Sequence, residues 1–370
     1  MAVIGHTYVV DANRGKWRAL ANRCDAVRLY VPSVWPEPDF WTRECEAASD
    51  LDIVSLPAKD AGRARRWRLP FRKLREDLVS FRPDIIHVEA EAGSAVAIES
   101  ACLRGRSAMT QFVWENIPIA SAWRRALSRW NVARVDHLFC GSEGALNAAR
   151  SDGYRGPATV VAQVGVDPMA GDRARAKREF DDGRFTVGYV GRTDQKKGVH
   201  VLFNAFARLG DIRTGLVYLG DGPERSELRR RVALVGESER VRFVDPVPHD
   251  RVAEHVKGFD VLVLPSISTP GWKEQFGHVL IEAMACGVPV IGSRCGAIPE
   301  VIGDAGIVVD EGNATALAEA IGRLMTDVEE RGRLARVGRF RVRDRFTDAA
   351  IAEVMYRAWK ELVDGHGSLR

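Results

Sequence analysis

Two glutamates eight positions apart, Glu274 and Glu282, and two cations five apart, Arg192 and Lys197, are the residues of this chain whose types and spacing could do chemistry together. A carboxylate accepts hydrogen bonds from two hydroxyls at once, so one glutamate on a loop and one further along the next helix could address two hydroxylated parts of a single ligand. By spacing alone, Glu282 is equally well a solvated residue on a helix face. An arginine fork and a lysine point charge on one loop make an anion clamp that could stabilise a departing diphosphate without metal; a solvated basic loop has the same composition.

The elements that must position these groups are legible around them. Arg192 and Lys197 lie in VGYVGRTDQKKG (Val187 to Gly198), an apolar strand running into a Gly-bearing loop. Glu274 and Glu282 lie in PSISTPGWKEQFGHVLIEAMACGVPVIGSRCGAIP (Pro265 to Pro299), which follows the apolar strand Val261 to Leu264. Ligands of such sheets bind at the carboxyl ends of strands. Gly277 permits a tight turn, and a helix from about His278 to Met284 would aim its first N–H groups back at the loop, where a diphosphate sits well. A third strand ends in LGDGPE (Leu219 to Glu224), whose Gly222 allows close approach of a ligand or forms an ordinary turn.

Across the chain, short Val- and Ile-rich runs alternate with helix-compatible segments, the pattern of parallel sheets built from βαβ units. Strands are expected to begin near Val3, Val27, Ile53, Ile85, Met109, His137 and Thr159, and again near Thr186, Gly215, Val241, Val261, Val288 and Gly306. The stretch Val166 to Lys177 (VDPMAGDRARAK) reads as a linker, so the expected domains are 1–165 and 166–347. Residues 348–370 follow, with apolar positions that fit one amphipathic helix crossing back to the first domain. The expected class is α/β, two doubly wound Rossmann-like domains facing across a cleft.

Composition narrows the partners. No run of about 18 apolar residues and no leader pattern is present, which points to a cytoplasmic protein. Six scattered cysteines without CxxC spacing argue against a zinc site or a disulfide framework. A net charge of +4 does not call for nucleic acid, and no RNA-binding module or aromatic platform is evident. GxxxxGK[ST] is absent, which excludes a P-loop. The basic cluster Gly62 to Arg75 (GRARRWRLPFRKLR) interleaves seven cations with Trp67, Leu69 and Phe71, and Trp123 to Trp130 (WRRALSRW) repeats the idea. Both stretches, Arg63 to Arg75 foremost, suit the anionic inner face of a membrane or a phosphorylated acceptor, as well as a solvated basic face.

The GRxxxxKG loop, the GDGPE turn, the PS preceding E-x7-E, EAMACGVPVI and Gly296-Ala297-Ile298-Pro299-Glu300, in this order, resemble family 4 of the retaining glycosyltransferases, which share the GT-B fold. The resemblance implies a sugar transferred from a nucleotide diphosphate, with UDP the commoner carrier, to a hydroxyl acceptor with retained anomeric configuration. It implies no metal and no cofactor beyond the donor substrate. Position by position, it assigns Arg192 and Lys197 to the diphosphate, Glu274 to the sugar hydroxyls and Glu282 to the ribose. Phe276, Gly277 and His278 would offer backbone groups. Ala297 stands where many relatives have a second glycine, which bears on the loop shape. Val244 to Pro248 is the expected base contact.

On the acceptor side the chain departs from the family. No glycine pair follows the first strand; His6 stands after it as a cleft candidate, and Asn13 and Arg14 further on could replace backbone contacts with side-chain ones or lie in an ordinary connecting loop. In FVWENI (Phe112 to Ile117), Glu115 occupies the place of a common histidine and could accept an acceptor proton or stabilise positive charge. Asn116 could alternatively cap a helix. His87 and Glu89 at a neighbouring strand end are lesser cleft candidates. The rival readings are a sugar-nucleotide epimerase or inverting enzyme of the same fold, and a partner subunit that has lost transfer.

Overall fold

The computed structural model describes residues 1–36 and 42–367, and the last three residues of the expected C-terminal segment lie outside it. The chain divides into two compact units, one formed by 1–165 with the final helix Asp348–Gly367, the other by Val166–Thr347. Each is built on a wholly parallel sheet.

The first unit carries strands β1 (Ala2–Gly5), β2 (Arg28–Pro32), β5 (Asp52–Leu56), β6 (Ile85–Glu89), β7 (Ala108–Val113), β8 (His137–Cys140) and β9 (Ala158–Val160), in the order β5-β2-β1-β6-β7-β8-β9. The second carries β10 (Phe185–Val190), β11 (Thr214–Leu219), β12 (Val241–Val244), β13 (Val261–Leu264), β14 (Val290–Ser293) and β15 (Gly306–Val309), in the order β12-β11-β10-β13-β14-β15. Every one of these strands begins within two residues of its expected start. The inner strands are continuous apolar runs because helices cover both faces; all four residues of β13 are buried. An antiparallel pair, β3 (Val34–Pro36) with β4 (Thr42–Glu44), was not anticipated.

Strand order reverses between β1 and β6 in one sheet and between β10 and β13 in the other. Helices leave to opposite faces at such a point, and the strand carboxyl ends open a crevice there. The loops after β10 and β13 carry Lys197 and Glu274. Helix Asp348–Gly367 closes the first unit: Trp359 is buried against Trp17, His87 and Phe139 and donates its indole N–H to Thr110 Oγ1 at 3.0 Å. All six cysteines are free.

Candidate functional site

In the second unit, the loops at the switch point are bonded backbone to backbone. After β10 the chain makes a short 3-10 turn, Gln195–Lys197, whose N-cap Asp194 accepts the N–H of Lys196. Gly198 ends it at φ +69°, and a Cβ there would lie 1.8 Å from the carbonyl oxygen of Pro265, so only glycine lets the two loops approach. Ile267 N–H donates to Lys196 O at 2.7 Å. This registry sets Lys197 Nζ 2.7 Å from Glu274 Oε2, and Ser266 Oγ donates to the same oxygen at 2.8 Å.

Glu274 is held from the other side by the loop after β14. Gly296, at φ +55°, brings its backbone so close that a Cβ would meet Glu274 O at 2.0 Å, and Ala297 N–H donates to that oxygen at 3.0 Å. Ala297 has ordinary right-handed helical angles, so the alanine in place of a family glycine leaves the loop shape unchanged. Glu274 is buried, with its carboxylate between an ammonium and a hydroxyl. The indole of Trp272 lies 5.1 Å from Lys196 Nζ and 5.0 Å from Lys197 Nζ, flanking both charges.

Arg192 shares the β10 loop. Its Nε is 3.6 Å from Asp194 Oδ2 and its carbonyl accepts the hydroxyl of Tyr189 at 2.6 Å. The close approach that needs Gly222 is to the neighbouring loop: a Cβ there would meet Thr193 O at 2.5 Å, and Thr193 is itself bonded to Asp221 and Glu224. At the expected base contact, Asp245 pairs with Arg225 at 2.7 Å, and Val244 O accepts the N–H of Gly220.

Helix His278–Ala285 starts from Gly277 at φ +83°. Glu282 lies one turn in, its side chain only 18% exposed, with Oε1 3.2 Å from His278 Nδ1 and 3.7 Å from His249 Nδ1. It is not a solvated helix-face residue. Burial opposes its charge, but the two imidazoles, His278 above all, hold the carboxyl below its ordinary range. The Phe276 ring packs edge-on against Phe346 at 5.7 Å, which leaves its backbone as the group available to a ligand.

In the first unit, Glu115 follows β7 and forms an ion pair with Arg65. Glu91, buried just after β6, accepts the N–H groups of Trp114 at 2.8 Å and Glu115 at 2.9 Å through one oxygen. Burial and the adjacent Glu115 carboxylate push Glu91 up to about 8, and burial raises Glu115 despite Arg65. The nearest following helix begins at Ala122 behind Ser121, so Asn116 is not its N-cap. His6 stacks on Trp35 at 4.2 Å and meets Trp67 edge-on at 5.6 Å; burial in this aromatic cluster pushes it down to about 4.

Three acceptor-side expectations are corrected. Arg14 is fully buried and donates to Tyr8 O, Val9 O and Glu46 O, while Asn13 donates to Thr7 O, so both secure their own loop. Glu89 and His87 are fully buried. Glu89 pairs with the equally buried Lys16 at 2.6 Å and accepts from Gln163 at 2.9 Å; His87 bonds Thr110. Within Arg63 to Arg75, Trp67 and Leu69 belong to the core, and of the interleaved apolar residues only Phe71 is exposed.

Sequence reasoning passed over Asp194, Ser266 as a partner of Glu274, Trp272, Lys16 and Glu91. Asp194 carried a readable signal, an acid just before a short basic turn. Among the described residues, no three His, Cys, Asp or Glu side chains cluster to hold a metal, and no helix is long and apolar enough to cross a membrane.

Residues 171–341 match the family described as glycosyl transferases group 1. The chain is 36% identical over 154 residues to a 2-deoxystreptamine N-acetyl-D-glucosaminyltransferase of Streptomyces fradiae, covering 40% of this chain and 35% of the relative. It is 33% identical over 269 residues to a D-inositol 3-phosphate glycosyltransferase of Acidothermus cellulolyticus, covering 67% of this chain and 52% of the relative. The matches thus span about half or less of these relatives. Among solved structures, Anabaena Alr3699/HepE in complex with UDP superposes with a TM-score of 0.75 at 16% identity, over 97% of this chain and 99% of that one. WaaG, a glycosyltransferase of lipopolysaccharide biosynthesis, gives 0.65 at 17%, over 96% and 98%. At such identities the likeness is one of fold, and the fold is GT-B, as the sequence motifs implied.

Proposed function

We propose that the chain is a glycosyltransferase that moves a hexose-type sugar from a nucleotide diphosphate, UDP by preference, to a hydroxyl acceptor, with retention and without a metal. The observation that carries this reading is the group at the switch point of the second sheet in which the partly exposed Lys197 meets the buried Glu274 and Ser266. Its two charges suit the two halves of one donor. Glu274 accepts hydrogen bonds from sugar hydroxyls, while Lys197, with Arg192 on the same loop, faces the diphosphate whose charge grows as the glycosidic bond breaks. Fixed cations there supply the stabilisation a metal would otherwise give. Glu282, kept ionised beside His278, accepts from the ribose hydroxyls.

The segment match to group 1 glycosyl transferases and the folds solved with UDP and UDP-glucose support this donor class. Retention rests on the family motifs: the acceptor attacks the face the diphosphate leaves, and the acceptor proton passes to the departing phosphate oxygen or to Glu115. We assign the acceptor to the first unit, with Glu115 and its partner Arg65 as the polar contacts.

A thermal-shift series of nucleotide sugars, followed by product analysis, tests the reading. A UDP-sugar should stabilise the protein, Glu282→Ala should lose that shift, and the product should keep the donor's anomeric configuration. Conversion of the nucleotide sugar with no acceptor present would establish an epimerase instead. Binding without turnover across many acceptors would establish a partner subunit.

A further inference from the structure

Helix Ala122–Val132 is turned inside out. The residues it buries include Ser128, 1% exposed, and Asn131, 0% exposed. Asn131 bridges the N–H of Gly93 and the carbonyl of Ala97, both at 3.3 Å, fastening this face to helix Ala95–Leu103. Val132 is buried too, but the helix's three largest apolar residues point the other way: Trp123 is 64% exposed, Leu127 38% and Trp130 37%. Spaced i, i+4 and i+7, they form one stripe along the outer surface. A soluble helix normally does the reverse, so a contiguous exposed stripe of two indoles and a leucine marks a surface that something else covers.

The charges around the stripe identify the cover. Between Asn116 and Val135 there are four arginines and no acid. The guanidinium of Arg134 lies 3.8 Å from the Trp130 ring centre and that of Arg124 5.4 Å from Trp123, so cations flank both indoles. With four arginines and no acid about it, the stripe suits a cover that carries negative charge throughout. A lipid headgroup layer accepts indoles at its apolar boundary while arginines bind its phosphates. We infer that Trp123, Leu127 and Trp130, with Arg124 and Arg134, dock the first unit onto an anionic bilayer surface. Of the two basic stretches, this keeps the membrane contact at helix Ala122–Val132, since Trp67 and Leu69 of Arg63 to Arg75 are buried.

Co-sedimentation of the full chain with phosphatidylcholine vesicles, with and without phosphatidylglycerol, tests it without any sugar donor, so the outcome is independent of the transfer reaction. The wild-type chain should sediment with the anionic vesicles only, and less at high salt. Trp123→Ala/Trp130→Ala should lower the vesicle partition by about ten-fold or more, and Arg124→Glu by about five-fold or more, with an unchanged melting temperature. If the double variant folds poorly, Trp123→Ala alone carries the test, since that ring is the most exposed. Equal sedimentation of wild type and variants, or none by either, overturns the inference. So does a wild-type dimer that the double variant abolishes while vesicle binding stays the same, because the stripe would then be a self-association face.

Discussion

Lys197 Nζ lies 2.7 Å from Glu274 Oε2, and the two residues reach each other from loops that leave adjacent strands on either side of the point where the sheet order reverses. Neither side chain gains much stability from the pair, because partly buried charges lose hydration to meet. The pair gives preorganisation: a cation and a hydrogen-bond acceptor are fixed against each other before any ligand arrives.

Removing either member should therefore cost turnover more than folding. Lys197→Ala is expected to lower kcat by about 10²–10³-fold with a smaller change in KM, as for loss of one donor to a developing anion. Glu274→Gln keeps the shape and loses the charge, and should slow transfer while weakening sugar selectivity. Steady-state kinetics on both single variants and the double variant checks this. Coupling near zero in that cycle would show that the pair does not act as a unit.

The glycine that locks Glu274 gives a stability test. Gly296→Ala places a methyl 2.0 Å from Glu274 O at φ +55°, and should destabilise the second unit by on the order of 2–4 kcal/mol. Ala297→Gly, one residue on, sits in right-handed helical angles and should cost about 1 kcal/mol or less. Thermal unfolding of the two variants separates them, and equal melting temperatures would remove the close approach as the reason for glycine.

Much of this site was legible, and what was not has a physical reason. Parallel strands buried on both faces read as unbroken apolar runs, so the strand starts and the loops after β10 and β13 could be found. The β3–β4 pair was hidden because every residue of Thr42–Glu44 is exposed and carries no alternation. Spacing placed Glu282 on a helix but could not show that His249, 33 positions earlier, would flank it within 3.7 Å. Arg14 read as a ligand contact because one of its carbonyl partners, Glu46, lies 32 residues away. Polar residues buried by long-range partners look the same in sequence as polar residues waiting for a ligand.

Glu91 makes stability depend on pH. Its folded pKa, near 8, lies above the ordinary 4.5, so the fold favours its protonated form. That contribution is complete below about pH 4.5, declines as pH rises, and is gone above about pH 8. Glu91→Gln keeps an oxygen to accept the N–H groups of Trp114 and Glu115 but cannot ionise. The melting temperature of the variant relative to wild type should climb across that window; a constant difference would show that Glu91 is not held protonated.

The fully buried pair of Lys16 and Glu89, 2.6 Å apart, separates a structural role from a catalytic one for Glu89, which the sequence offered as a cleft residue. Glu89→Ala strands the Lys16 ammonium in the core and should cost roughly 3–5 kcal/mol. Lys16→Met/Glu89→Leu removes both charges in side chains of similar volume and should restore most of that loss, although Gln163 then loses one acceptor. If Glu89 serves only the fold, the double variant should melt near wild type and transfer sugar at a rate within a few-fold of it. A double variant that is stable but inactive would move Glu89 from the core of the first unit into the reaction.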